Sequence, residues 1–247
     1  MTFNRPEHEI IGDALRRMNH QMLMDSKCWF GGGTAIVLRL GEYRCSLDVD
    51  FICSDTNGYR DLRNALIGKG PSTLFPNEVK SVRDIRADQY GIRMFLEYRA
   101  QLIKFEIVRE SRIDVDGDID PVLQVPTLLV RDMFSEKLLS NSDRCMDRST
   151  AYRDAIDLGR LVEAYGPIPE DALAKAVTAY GEDIERKAVW VVNRLHSRDE
   201  LRNAAEALQM DHDVAARAIA SLRDDFQRIW PAAKIDLNPS EGNDHVR

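Results

Sequence analysis

The spacing of apolar residues divides the chain at about residue 125. Before that point, segments of helical and strand periodicity alternate; after it, only helical periodicity is found. Apolar residues at helical spacing predict helices over 6–25, 34–40 and 59–67. A short apolar run predicts a buried strand over 28–30, and period-two alternation predicts strands over 47–53, 79–85, 92–98 and 101–108. The last two strands are expected to pair through the short Arg99-Ala100 turn.

The second half of the chain predicts a helical domain. Its helices are expected over 127–141, 148–165, 170–179, 184–194, 197–209 and 213–230, with Asp213 as the N-cap of the last. The predicted fold class is therefore α+β, with a mixed β-sheet flanked by helices over residues 1–125 and a helical domain over residues 126–230. Residues 231–247 are polar and aperiodic, so a loose C-terminal tail is expected.

Length and composition are those of a water-soluble globular protein. The chain has 247 residues, of which 44% are hydrophobic and 30% charged. No apolar run approaches the roughly 20 residues that cross a bilayer, and no signal peptide is recognised. The four cysteines form no CxxC pair and have no matching histidine spacing, so reduced thiols in a cytoplasmic protein are expected.

The net charge of −7 disfavours broad, sequence-independent binding to nucleic acid, which depends on many contacts from Lys and Arg to phosphates. The charge is unevenly spread, because residues 80–112 hold more Lys and Arg than acids. Such a stretch is either a solvated face or a local basic patch with a function. The sequence leaves both interpretations open.

A glycine-rich turn stands between the strand over 28–30 and the following helix. Gly32, Gly33 and Thr34 would begin that helix, where backbone N–H groups can approach phosphates. There is no Gly-x-x-x-x-Gly-Lys-Ser/Thr loop, and the turn does not fit the dinucleotide-binding fingerprint. A triphosphate held by backbone groups is the binding mode that this turn favours.

Three carboxylates follow on predicted strands. Period-two spacing places Asp48 and Asp50 on one face of a strand, and Lys104 and Glu106 share a face of a later strand. Carboxylate oxygens suit Mg²⁺, and two Mg²⁺ ions about 3.5–4 Å apart can clamp the attacking and leaving oxygens of a phosphoryl-type transfer. The turn and the three acids together predict such a reaction, although each is common when it occurs alone.

The order of these features resembles the signature of the AbiEii/AbiGii-type nucleotidyltransferase toxins, within the DNA polymerase β-like nucleotidyltransferase superfamily. The resemblance covers residues 31–158, about half of the chain. It is carried by Gly32-Gly33-Thr34-Ala35, by residues 44–51 (RCSLDVDF), by Lys104-Phe105-Glu106, by Glu136-Lys137-Leu138 and by residues 153–158 (RDAIDL). The residues before 125 would then form a palm-like nucleotidyltransferase domain.

The resemblance implies a role for each matched residue. Asp48, Asp50 and Glu106 would hold two Mg²⁺ ions, and Gly32, Gly33 and Thr34 would hold the triphosphate of an NTP. Lys137 would be a catalytic residue that contacts the nucleotide phosphates. The other residues assigned to the nucleotide or to bracing of the acidic strand are Arg44, Ser46, Lys104, Arg153, Asp154 and Asp157.

The sequence departs from the family pattern at two matched positions, and some matches have another explanation. Cys45 stands where the family has a large apolar residue, and the third acid is Glu106 instead of the commoner Asp. Lys137 could be a surface lysine. Asp154 and Asp157 could pair with neighbouring arginines, Arg153 and Arg160, on an exposed helix face. The helices beyond residue 165 match nothing recognised.

The favoured function is transfer of a nucleoside monophosphate from an NTP to an acceptor hydroxyl, with release of pyrophosphate. Resemblance to the toxins favours the 3′ end of tRNA as acceptor, and a small molecule such as an aminoglycoside or a protein hydroxyl stays possible. Family members are often paired with a separate antitoxin, so a cognate antitoxin is an expected partner. The alternative from another class is a non-catalytic protein that acts by binding a partner.

Overall fold

The computed structural model describes residues 2–236, and these form two compact units. Within the described residues, unit 1 comprises 2–42 and 46–133, and unit 2 comprises 43–45 and 134–236. The described parts of these units form the α+β fold that the sequence predicts. Residues 237–247, the larger part of the predicted tail, lie outside the described residues.

Unit 1 is built around a mixed sheet whose described strands lie in the order β3-β5-β6-β2-β1-β8-β7, with β4 paired to β5. The strands β2 and β6 are parallel, as are β1 and β8, and the other pairs are antiparallel. The helices of this unit are α1 (Pro6–Arg16), α2 (His20–Asp25), α3 (Gly32–Arg39) and α4 (Thr56–Lys69). The strands are β1 (Cys28–Gly31), β2 (Val49–Cys53), β3 (Lys80–Ser81), β4 (Arg86–Ala87), β5 (Gly91–Tyr98), β6 (Gln101–Arg109), β7 (Gly117–Ile119) and β8 (Pro126–Leu128).

One face of this sheet carries the hydrophobic core of unit 1. Phe30, Phe51 and Phe105 lie on three neighbouring strands with successive ring centroids 5.5 Å apart. Side chains from α1 and α4, among them Leu15 and Leu62, belong to the same buried cluster. Because side chains alternate between the two faces of a strand, the residues directly before and after each of these aromatics project from the opposite face.

Unit 2 is helical. Its helices are the second part of α5 (Val130–Arg144), α6 (Arg153–Tyr165), α7 (Glu170–Tyr180), α8 (Asp183–Arg194), α9 (Arg198–Ala207) and α10 (His212–Ile229). Helices α6 and α10 pack closely, since a Cβ on Gly159 would lie 2.1 Å from the carbonyl oxygen of Ala218. A side chain at position 159 would therefore force these helices apart.

Several elements differ from the prediction. The strand expected over 79–85 is only the two-residue β3, and the helix expected over 148–165 begins at Arg153, because Ala151 and Tyr152 have positive φ values. The single helix expected over 6–25 is two helices, because the Asn19 side chain accepts a hydrogen bond from Met22 N–H and caps α2. A strand, β8, lies beyond residue 125, where only helices were predicted. The N-cap of α10 is Asp211 instead of Asp213, since the Asp211 carboxylate accepts the N–H groups of Asp213 and Val214.

Candidate functional site

The glycine turn of unit 1 places a helix N-terminus against an acidic strand. Strand β1 ends at Gly31, and α3 begins at Gly32, whose φ of 66° lies in the left-handed region. A Cβ built on Gly32 would lie 2.8 Å from Oδ2 of Asp50. Glycine is thus required at this position both by the backbone conformation and by the approach of the Asp50 carboxylate.

The strand register lines up the predicted acids on adjacent strands. Gly31 is paired with Asp50 across β1 and β2, and Asp50 is paired with Glu106 across β2 and β6. Glu106 is in turn paired with Arg93 of β5. Adjacent strands lie about 4.8 Å apart, so the turn, both acids and the arginine follow one another across the sheet.

Two cations balance the acids. Lys104 Nζ lies 3.4 Å from Asp48 Oδ2 and 3.8 Å from Glu106 Oε2. The Nε of Arg93 donates to Glu106 Oε1 at 2.7 Å. The Asp48 and Lys104 side chains are 46% and 45% exposed, whereas Glu106 is only 17% exposed. The exposed Lys104–Asp48 pair contributes little to stability, so its ammonium can give way to another cation.

The donor set suits a hard cation, because Asp48, Asp50 and Glu106 offer only carboxylate oxygens. Within residues 2–236, no three acidic, histidine or cysteine side chains converge closely enough to enclose a metal ion. The register brings Asp50 and Glu106 side by side, and Lys104 contacts both Asp48 and Glu106. The oxygen donors of these residues therefore suit Mg²⁺, and the sheet places them on adjacent strands, although their side chains do not converge on one point.

A chain of hydrogen bonds supports the acidic strand from behind. The Thr34 hydroxyl contacts the Ser46 hydroxyl at 2.9 Å and donates to the backbone carbonyl of Asp48. The Ser46 N–H donates to Nε2 of His8 at 3.3 Å, and Nδ1 of His8 contacts Glu42 at 2.9 Å. Since His8 accepts at Nε2, it donates from Nδ1, and Glu42 is its acceptor. Thr34 and Ser46 thus brace Asp48, which is one of the two roles that the resemblance implied for Ser46.

Unit 2 contains a second charged cluster, centred on Asp157. This fully buried carboxylate accepts the Tyr43 hydroxyl at 2.6 Å and two hydrogen bonds from Arg44, each at 2.8 Å. Lys137 Nζ lies 2.7 Å from its Oδ2. Burial by itself would raise the pKa of Asp157, but Arg44 and Lys137 hold it below its ordinary value.

Asp154 extends this cluster by one turn of α6. It accepts Lys137 Nζ at 2.9 Å and two hydrogen bonds from Arg144, at 2.6 and 2.9 Å. Burial opposes the charge, yet Lys137 and Arg144 hold the pKa of Asp154 well below its ordinary value. Lys137 therefore bridges two buried carboxylates. The alternatives of a surface lysine and of an exposed pairing with Arg153 and Arg160 are wrong, and Arg160 pairs with Glu163 instead.

The predicted site residues thus fall into two groups. Those brought together in unit 1 are Gly32, Gly33, Thr34, Ser46, Asp48, Asp50, Lys104 and Glu106, and those in unit 2 are Arg44, Lys137, Arg153, Asp154 and Asp157. The Tyr43–Cys45 segment belongs to unit 2 although residues on both sides of it belong to unit 1.

Sequence reasoning missed Arg93, His8, Tyr43 and Arg144. The position of Arg93 could have been predicted, because counting back along both strands from the Arg99-Ala100 turn places Arg93 opposite Glu106. The contacts of the other three join residues 10 to 114 positions apart in the chain. No periodic or local signal marks such contacts.

No helix in the described part of the chain is long and apolar enough to cross a membrane.

The chain matches a family described as nucleotidyl transferase AbiEii toxin, type IV toxin–antitoxin system, over residues 13–234. A search of curated proteins gives no match.

Several solved structures are similar to this one, among them two nucleotidyltransferase-type proteins. A candidate nucleotidyltransferase from H. pylori is 19% identical, with a TM-score of 0.50 and coverage of 92% of this chain and 96% of that chain. An antigenic nucleotidyltransferase-like protein from Paracoccidioides brasiliensis is 16% identical, with a TM-score of 0.47 and coverage of 86% and 98%. At these identities the first likeness supports the shared fold and nothing finer.

Proposed function

Because the chain belongs to the AbiEii family of nucleotidyl transferase toxins, we propose that it transfers a nucleoside monophosphate from an NTP to an acceptor hydroxyl in a Mg²⁺-dependent reaction. The observation that carries this proposal is the pairing of Asp50 with Glu106 on neighbouring strands, directly beside the Gly32 turn. An acidic pair and a helix N-terminus are the two groups that a triphosphate with its metal ions requires.

Asp48, Asp50 and Glu106 are the residues that would hold Mg²⁺, with two ions expected. Bound Mg²⁺ would neutralise the triphosphate and the charge that develops on the transferred group. Lys104 lies within 4 Å of two of these acids and would exchange its contacts with them for contacts with phosphate oxygens. Arg93 would keep Glu106 oriented toward the site through the bond to Oε1.

The N-terminus of α3 would bind the triphosphate. Gly33 and Thr34 lie in its first turn, where backbone N–H groups have no partner within the helix, and Gly31 provides no side-chain cap. These N–H groups and the positive end of the helix dipole favour an anion. The Thr34 hydroxyl is already engaged with Asp48 and Ser46, so its role would be to fix the turn against the acidic strand.

The reaction breaks one bond and forms one. The acceptor oxygen attacks the α-phosphorus, the bond from that phosphorus to the bridging oxygen of the β-phosphate breaks, and pyrophosphate leaves. The acceptor proton would pass to the Glu106 carboxylate, which is the least exposed of the acids that Lys104 contacts.

The proposal also includes nucleotide contacts by five residues of unit 2, namely Arg44, Lys137, Arg153, Asp154 and Asp157. Their support is the family resemblance, and the contacts within unit 2 suggest a structural role as well. The two roles make different predictions. A nucleotide contact predicts that Lys137→Met raises the KM for NTP in protein that is still folded. A structural role predicts a fall in the free energy of unfolding of that variant.

The 3′ end of tRNA is the acceptor that we propose, and a separately encoded antitoxin is the proposed protein partner. To test the transfer, the protein is incubated with Mg²⁺, each α-labelled NTP in turn and total RNA, an aminoglycoside or a protein mixture. We expect label on a tRNA-sized band with one preferred NTP. The double variant Asp48→Asn/Asp50→Asn should give no label.

The matched control is Asp116→Asn/Asp118→Asn, which removes two exposed acids of unit 1 at the same spacing. This control should label RNA like the wild type. Label on the aminoglycoside or on protein alone would replace tRNA as acceptor. No label on any acceptor would favour the non-catalytic, partner-binding alternative.

A further inference from the structure

The outer face of the sheet in unit 1 continues past Glu106 as an open surface. On β5, Arg93, Phe95 and Glu97 project from this face, and the residues between them are buried in the core. On β6, Leu102 and Lys104 are exposed beside them. This face therefore begins at the proposed transfer site and runs across β5 to the short edge strands β3 and β4.

Two arginines without an ion-pair partner among the described residues lie on this face. Arg86 of β4 is paired directly with Arg93 of β5, and like charges opposite one another destabilise a sheet. Arg93 is balanced by Glu106 and Asp88. Within residues 2–236, neither Arg86 nor the nearby Arg83 forms an ion pair. An anionic ligand would offset the repulsion between Arg86 and Arg93.

An aromatic platform adjoins these cations. The guanidinium of Arg83 lies over the ring of Phe95, 4.7 Å from its centroid, and Phe95 is 36% exposed. Phe95 is paired across the strands with Lys104, whose ammonium contacts Asp48 and Glu106. The platform is thus one cross-strand step from the acids.

We propose that Arg83, Arg86 and Phe95, here called the basic strip, bind the single-stranded 3′ segment of an RNA acceptor and lead it to Glu106. This inference rests on the proposed function and names the surface that the acceptor uses. Arginines bind successive phosphates, while an exposed aromatic ring and a guanidinium plane stack with unpaired bases. A base-paired duplex would present no free base face to Phe95.

Charge favours nucleic acid over a protein partner on this face. The exposed apolar side chains, Val82, Phe95 and Leu102, alternate with Arg83, Arg93 and Lys104 instead of forming a continuous apolar patch. Protein interfaces are depleted of charge at their centre, whereas surfaces that track single strands combine cations with aromatic rings. The overall negative charge confines such binding to this local strip.

The test is the affinity for a fluorescein-labelled, 12-nucleotide single-stranded RNA, measured by anisotropy without NTP or Mg²⁺. Arg83→Ala/Arg86→Ala should weaken binding about tenfold or more and should lower the salt dependence of log K by about 1.4, at about 0.7 for each phosphate contact. Phe95→Leu keeps an apolar side chain but loses stacking, and should weaken binding about tenfold.

The matched control is Arg60→Ala/Lys69→Ala, which removes two exposed cations from α4 on the covered side of the sheet. It should bind RNA like the wild type. Three results would each overturn the proposal. They are an equal loss of RNA affinity in the control and strip variants, unchanged RNA affinity in the strip variants, and no RNA binding by the wild type at low salt. A wild-type dimer that Phe95→Leu dissociates would instead make the strip a protein interface.

RNA binding is measured apart from catalysis, so the two proposals can fail separately. Asp48→Asn/Asp50→Asn should bind the RNA and transfer nothing. Normal transfer to RNA by the strip variants would contradict the acceptor surface and leave the proposed function intact. RNA binding that depends on the strip, without transfer by the wild type, would contradict the proposed function and leave the strip as an RNA-binding surface.

Discussion

At the scale of single residues, Gly32 is subject to two separate constraints. Its φ of 66° favours glycine, and a Cβ would lie 2.8 Å from the Asp50 carboxylate. The variant Gly32→Ala should therefore displace Asp50 and reduce the transfer rate about a hundredfold, the scale expected when a reacting group is misplaced by about 1 Å. Initial rates at saturating NTP measure this effect.

The variant Gly70→Ala separates the effect of backbone conformation from the effect of contact with Asp50. Gly70 has a similar φ of 73° but no atom within 4 Å of an added Cβ. Its ψ of −168° puts it in a region that is essentially confined to glycine, so Gly70→Ala should lose about 1–3 kcal/mol of stability and retain the transfer rate. Equal losses of rate in both variants would show that backbone strain, and not contact with Asp50, is responsible.

Thr34 gives a second prediction at this scale. Its hydroxyl joins Ser46 to the Asp48 carbonyl in a buried position. The nearly isosteric Thr34→Val should cost about 1–3 kcal/mol, because buried groups lose their hydrogen-bond partner, and should also slow transfer. Thr34→Ser keeps the hydroxyl and should retain most of the rate. Urea unfolding and transfer rates of both variants check the prediction, which a fully active Thr34→Val would contradict.

At the scale of elements, the hairpin of β5 and β6 shows what local sequence can predict. The Arg99-Ala100 turn, the alternation on both strands and the shared face of Lys104 and Glu106 were all predicted and are confirmed. Parallel pairing of β2 with β6 was not predictable, because it joins residues more than 50 positions apart and no local turn fixes the register. The three-residue strands β7 and β8 are too short to show a period.

The same hairpin contains a removable strain. Arg99 and Ala100 have φ values of 49° and 63°, the left-handed conformation that a two-residue hairpin turn requires. Ala100→Gly should relieve about 1–2 kcal/mol of strain and lose part of it to the more flexible unfolded chain, for a net gain of about 0.5–1 kcal/mol.

Thermal unfolding of Ala100→Gly measures this gain. Ala174→Gly, in the exposed middle of α7, is the control and should have the opposite sign, a loss of about 1 kcal/mol. A lower melting temperature for Ala100→Gly would show that the turn is not strained.

At the scale of the whole molecule, the positions of the sequence motifs did not reveal how they are divided between the units. The block over residues 44–51 is continuous in sequence, yet Arg44 contacts Asp157 within unit 2 while Asp48 and Asp50 belong to unit 1. The acidic site was predictable from strand alternation and a glycine turn. The burial of Asp154, Asp157 and Lys137 was not predictable, because the spacing of charged residues along a helix does not show whether they are buried or exposed.

The buried charges of unit 2 predict a pH dependence of stability. The folded pKa values of Asp154 and Asp157 are lowered, so their contribution is fully present above the unfolded value of about 3.9 and is lost as the pH falls through the folded values. Asp157→Asn should lower the free energy of unfolding at pH 7 by about 3–5 kcal/mol, since Arg44 loses a buried partner.

Urea unfolding at pH 7, 5 and 3 measures this difference. The gap between the wild type and Asp157→Asn should be constant from pH 7 to pH 5 and narrow below about pH 4. Glu206→Gln, an exposed change in the same unit, should lie within about 0.5 kcal/mol of the wild type. A gap that widens toward low pH would contradict the lowered pKa values.

We propose that Asp50, beside the Gly32 turn, supports Mg²⁺-dependent nucleotidyl transfer. The most direct measurement is the initial rate of NMP transfer to RNA over a Mg²⁺ titration, for the wild type, Asp50→Asn and the outer-face control Glu97→Gln. We predict no transfer with EDTA, a loss of about a thousandfold in Asp50→Asn at every Mg²⁺ concentration, and a control rate within about twofold of the wild type. Transfer that persists with EDTA, or an Asp50→Asn rate equal to that of the control, would contradict the claim.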